Sequence, residues 1–123
     1  MGRLEKVNEQ LKREIGRIIQ SELNDPRLEF ISITQAAVSA DLRNAKVFFS
    51  VIGDSRKMLS AQQGLEAAKG IIRRMIGQRM KMRYTPELAF YYDESLEYSA
   101  RIEETLQEIH NESIDNHPEN QEE

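Results

Sequence analysis

Lys69, Arg73, Arg74, Arg79, Lys81 and Arg83 fall within one fifteen-residue stretch, "KGIIRRMIGQRMKMR", that holds no acidic residue. No acid sits among these cations to form helix ion pairs with them inside the stretch. They must meet water or an anion brought by a partner. Phosphate is the anion that gains most from such a run, because Arg and Lys displace the counterions condensed on a nucleic-acid backbone. Lys69, Arg73, Gly77 and Lys81 recur every four residues, so they wind along one side of a helix. A glycine in that stripe would let a backbone approach a ligand closely. Gly70 fits a tight helix contact or a helix end equally well, and a plain solvated face remains the simplest alternative for the charges.

Residues suited to covalent or metal chemistry are not arranged for it. The chain has no cysteine, and its only histidines, His110 and His117, stand in a polar tail without further ligand types beside them. Asp93 and Glu94 are sequence neighbours, whose side chains point apart. There is no GxxxxGK[ST] loop, GxGxxG turn, GxSxG elbow or HExxH pair. The expectation is a binding protein, not an enzyme, with no cofactor, no metal and no small-molecule substrate.

Charge is divided unevenly along the 123 residues. Up to Pro86 there are 16 basic and 9 acidic residues, a balance of +7; from Glu87 onward one arginine faces 12 acids, a balance of −11. The formal net charge of −4 therefore conceals a basic body followed by an acidic tail, a pattern that points to a nucleic-acid partner. The opening "MGRLEKVNEQLKREIG" alternates charges where a signal peptide needs an apolar run, and no stretch is long and apolar enough to span a membrane. A cytoplasmic monomer is expected.

The elements that position the basic run can be read from periodicity. Leu4, Val7, Leu11, Ile15 and Ile18 form a helical stripe over residues 4–23, with Arg3, Lys6, Arg13 and Arg17 on another side. Asp25-Pro26 ends that helix. "FISITQAAVSAD" (30–41) and "AKVFFSVI" (45–52) alternate as strands around the turn "DLRN", giving an antiparallel hairpin. Residues 56–82 are helical, with Ser55 as candidate N-cap and Leu59, Leu65, Ala68, Ile72, Met75 and Ile76 on the buried side. Gly64, Gly70 and Gly77 each cost about 1 kcal/mol relative to alanine inside a helix, so a break between two helices is expected there. "ELAFYYD" (87–93) reads as a third strand, placed by a crossover parallel to a neighbour. Among Phe48, Phe49, Phe90, Tyr91 and Tyr92, the alternate positions are read as core filling, Phe49 with Val47 and Val51 and Phe90 and Tyr92 with Leu88, and base stacking is the alternative. The expected fold is α+β, in the order α-β-β-α-α-β, with a three-stranded mixed sheet and its helices on one face. The expected organisation is a domain over 1–95, a candidate C-terminal helix over 96–110 and an acidic disordered tail over 111–123.

That order is the order of a type II KH domain, an RNA-binding fold in which a GxxG loop joins the two central helices. Here Ala68-Lys69-Gly70 stands in place of GxxG. With "NDPRLEFISITQAAVSADLRNAKVFFSV" and "GLEAAKGIIRRMIGQRMKMRYTPELAFYYDES" following "LEKVNEQLKREIGRIIQSEL", the chain resembles the ribosome-binding factor A family over roughly residues 3–103. The resemblance implies an assembly factor that binds the free immature small ribosomal subunit. Such a factor promotes maturation of the subunit's rRNA near the 5′ end and matters most in the cold. It implies an Ala-x-Gly kink at Ala68, Lys69 and Gly70, and an RNA face of Lys69, Gly70, Arg73, Arg74, Arg79, Lys81 and Arg83, helped by Arg43 and Lys46. The alternatives are a generic KH-like module for single-stranded RNA, and a protein-interaction domain whose basic face meets an acidic partner.

Overall fold

A computed structural model describes residues 2–95. The candidate helix at 96–110, the tail at 111–123 and both histidines lie outside the described residues. All the elements below belong to the unit that ends at Asp93.

Helix α1 spans Arg3–Ser21. The Glu5 carboxylate accepts from the Gly2 backbone N–H at 2.7 Å, and the Glu22 N–H closes the last turn on Ile18 O at 2.8 Å. Leu11, Ile15, Ile18 and Ile19 are buried, whereas Leu4 at the start of the expected stripe is exposed. A short 3₁₀ turn, Pro26–Leu28, follows; the Asp25 carboxylate accepts from the Arg27 backbone N–H and from its guanidinium. Those bonds, chiefly the one from the Arg27 side chain, hold the Asp25 carboxyl below its ordinary range.

Strands β1 (Ile31–Val38) and β2 (Asn44–Val51) pair antiparallel, and β3 (Glu87–Tyr92) pairs parallel to β2, in the spatial order β1-β2-β3. The sheet is mixed, as the crossover implied. A bulge falls between Ile33 and Gln35, and it keeps the apolar positions on one side although the alternation slips by one. Ala36, Val47 and Phe90 face the core in register, as do Val38, Ala45 and Leu88. Phe48 and Tyr91 stack on the opposite face with ring centroids 5.8 Å apart. Among the aromatic residues, the alternate positions Phe49 and Phe90 fill the core as expected and Tyr92 packs half-buried against it.

The second helical region differs from expectation. Helix α2 runs unbroken from Ser55 to Met80, so the order is α-β-β-α-β and no second helix begins at Ala68-Lys69-Gly70. The reason is energetic. Ala61, Leu65, Ile72 and Ile76 are all fully buried, and they carry one apolar face across Gly70. Burying each Leu or Ile contributes roughly 1.5–3 kcal/mol, against about 1 kcal/mol lost at one helical glycine. Nothing lies within 4 Å of a Cβ placed at Gly70, so this glycine makes no close contact either. The other two do. A Cβ at Gly64 would lie 3.0 Å from Leu28 Cδ2, and one at Gly77 would lie 2.6 Å from Thr85 Oγ1. Those glycines let the 3₁₀ turn and the α2–β3 loop lie directly on the helix. The N-cap is Asp54, which accepts from the Lys57 N–H at 3.1 Å, one residue before the expected Ser55. Leu59, expected inside, is 57% exposed. At the other end Lys81 takes the left-handed conformation, φ 53°, that terminates the helix.

Candidate nucleic-acid interface

The β1–β2 turn is held by its own side chains. The Ser39 hydroxyl donates to Asp41 Oδ1 at 2.6 Å, and the Arg43 N–H donates to the same oxygen at 3.0 Å. These bonds, the hydroxyl's first, hold the Asp41 carboxyl below its ordinary range. The Asn44 N–H donates to Ser39 Oγ, and Leu42 sits at φ 63°. The turn is thereby fixed with the Arg43 side chain exposed. Arg43 is also joined to the far strand, since its carbonyl accepts from the Glu87 N–H at 2.8 Å. This bond brings the β1–β2 turn beside the loop that enters β3.

That loop is bolted to α2 by Arg73. Its Nε donates to Pro86 O at 2.9 Å and its guanidinium to Thr85 O at 2.8 Å, with Glu87 3.6 Å away. Pro86 is fully buried. The bolt leaves Arg83 and Tyr84 on the outer side of the loop, both exposed. The Arg43 and Arg83 guanidiniums lie 4.7 Å and 5.4 Å from the centroid of the Tyr84 ring. Turn and loop thus converge on one aromatic side chain, which the sequence reading passed over.

The predicted basic residues divide into two sets. Arg74, Lys81, Arg83, Arg43 and Lys46 are exposed and have no carboxylate partner among the described residues. The other three are engaged. Lys69 pairs with Glu66 at 2.8 Å. Arg73 is the loop bolt. Arg79 bridges to α1, contacting Glu14 at 3.3 Å and Glu22 at 3.2 Å. The expectation that the whole stripe faces solvent or a partner fails for Arg73 and Arg79, because their acceptors are distant in sequence and close in space. Gly70 and Ala68 lie on the uninterrupted helix, Gly70 exposed and Ala68 half-buried. On α1, Arg17 pairs with Glu14, and Arg13 and Arg17 line a shallow groove with Gly16, Ile31 and Ile33. Among the described residues no group of three or more acids or histidines is placed to hold a metal ion. No helix there is long and apolar enough to cross a membrane.

The family model for ribosome-binding factor A matches residues 3–106. The chain belongs to the ribosome-binding factor A family. Within that family it is 51% identical to the ribosome-binding factor A of Halothermothrix orenii over 107 residues, covering 87% of this chain and 88% of that one. The crystal structure of ribosome-binding factor A from Thermus thermophilus superposes with a TM-score of 0.65 at 26% identity, over 72% of this chain and 93% of that one. A second match is a homology model of the Thermus thermophilus factor fitted into a cryo-EM map of a 30S–RbfA complex. Its TM-score is 0.60 at 26% identity, over 71% of this chain and 91% of that one. The resemblance read from the sequence is borne out in family and in α+β class.

Proposed function

We propose that the chain binds the free, immature small ribosomal subunit through its rRNA and supports maturation of that rRNA near the 5′ end. It acts as a cytoplasmic binding factor, not a catalyst, and its loss matters most in the cold, where misfolded RNA escapes slowly. The observation that carries this reading is the gathering of Arg43 and Arg83 at one end of the sheet, with neither guanidinium spent on a carboxylate among the described residues. Arg74, Lys81 and Lys46 add exposed charge with no carboxylate partner among the described residues. Support comes from the family, one of whose members has been fitted into a small-subunit complex.

Mixing the protein with purified free small subunits, large subunits and joined ribosomes, then sedimenting each, tests the reading. Comigration with free small subunits is expected. Even spreading over all RNA-bearing fractions would point to a generic single-stranded RNA module. Absence from every ribosomal fraction would leave a protein partner for the basic face.

A further inference from the structure

Tyr84 is 47% exposed, so nearly half of it is open to a ligand while two guanidiniums stand at its ring. The cluster is built from both sides. Asp41 and Ser39 fix the turn that carries Arg43, and Arg73 fixes the loop that carries Tyr84 and Arg83. Fixed loops lose little freedom when a ligand arrives. An aromatic ring with guanidiniums stacked over it suits one ligand above others, an unpaired base flanked by its phosphates. The base stacks on the aromatic or guanidinium planes, and the cations meet the charge on either side. A paired base offers no free face, and an acidic peptide has no use for the ring.

We propose that Tyr84, with Arg43 and Arg83, forms a stacking platform for a single unpaired nucleotide of the rRNA. The proposal rests on the rRNA-binding reading above and adds to it the kind of RNA that this end of the molecule takes. Arg74, Lys81 and Lys46 then supply charge that does not depend on strandedness, while Tyr84 supplies the preference for a single strand.

The chain contains no tryptophan, so Tyr84→Trp creates a sole reporter at the platform. Its fluorescence should be quenched by a short single-stranded RNA and by free small subunits. The same RNA annealed to its complement should quench it far less. Tyr91→Trp, on the open sheet face, should respond to none of them. Stacking is worth roughly 1–3 kcal/mol per base, and Tyr84→Ala should therefore weaken single-strand binding by about five- to 150-fold. Tyr84→Phe should keep most of it, and neither should shift the melting temperature appreciably. Weakened binding by Tyr84→Ala without quenching of the tryptophan would reduce Tyr84 to a support for the arginines and overturn the proposal. Quenching by polyglutamate and not by RNA would overturn it in favour of an acidic protein. If the unaltered protein comigrates with small subunits and the tryptophan stays unquenched, the platform fails alone; if the unaltered protein does not comigrate, the underlying reading fails first.

Discussion

Arg73 and Arg74 are neighbours with opposite tasks. Removing the Arg73 side chain leaves the Thr85 and Pro86 carbonyls without their donors, and an unsatisfied half-buried group costs about 1–3 kcal/mol. Arg73→Ala should therefore lower the denaturation midpoint, whereas Arg74→Ala should leave it in place and weaken RNA binding. A thermal melt beside a binding titration separates the two; equal stability in both variants would refute the bolt. At Lys81 the backbone is left-handed, a conformation that disfavours a side chain by roughly 1–2 kcal/mol. Lys81→Gly should thus stabilise the fold while removing an exposed charge, so a more stable protein that binds less tightly is the expected result. Asp41 offers a pH test. Its folded value lies below the ordinary 3.8. The stability it lends to the turn is thus full above that pH and lost as pH falls through the lower folded value. A carboxyl NMR titration should place its midpoint below 3.8, and Ser39→Ala should move the midpoint back up.

At the scale of elements, the glycines of α2 make a matched set. Gly70→Ala meets no neighbour within 4 Å and gains helix propensity, so it should stabilise by about 1 kcal/mol. Gly77→Ala puts a methyl against the Thr85 hydroxyl and should stabilise less or destabilise, unless that side chain turns away. A destabilised Gly70→Ala would restore the break that the glycine count suggested. That error has a physical source. The propensity cost of a glycine is local and visible in sequence, while the stabilisation from Ile72 and Ile76 depends on a sheet formed by distant residues. The same distinction explains the site. The strands and α1 were legible because alternation and helical period are local. The partners of Arg79 lie 65 and 57 residues away, where no rule of neighbouring turns can reach. Tyr84 went unread because it follows no periodicity. An aromatic residue after Arg83 in a Pro-bounded loop was the only signal that it stays outside.

For the whole molecule, binding through about four or five phosphates predicts that log K falls with log salt at a slope of roughly −3 to −5. Arg74→Glu combined with Lys81→Glu should flatten that slope and weaken small-subunit binding without unfolding the protein, since neither side chain has a carboxylate partner among the described residues. An unchanged slope would confine the RNA face to Arg43, Arg83 and Lys46 or move it to α1, where Arg3, Lys6, Arg13 and Arg17 are the next candidates. The parallel pairing of β2 with β3 bears on how the chain acquires its shape. The β1–β2 hairpin closes over a short turn, but β3 can add to β2 only after the whole of α2 has crossed back over the sheet. Closing so long a loop loses more chain entropy than closing a hairpin, so β3 should dock after the rate-limiting step. Leu88→Ala should then mainly speed unfolding, and Val47→Ala should mainly slow folding. Because Arg43, Arg83 and Tyr84 meet only once β3 is seated, the end proposed to bind RNA should be the last part of the body to be completed, and a chain caught before that moment would carry its charges but not their arrangement.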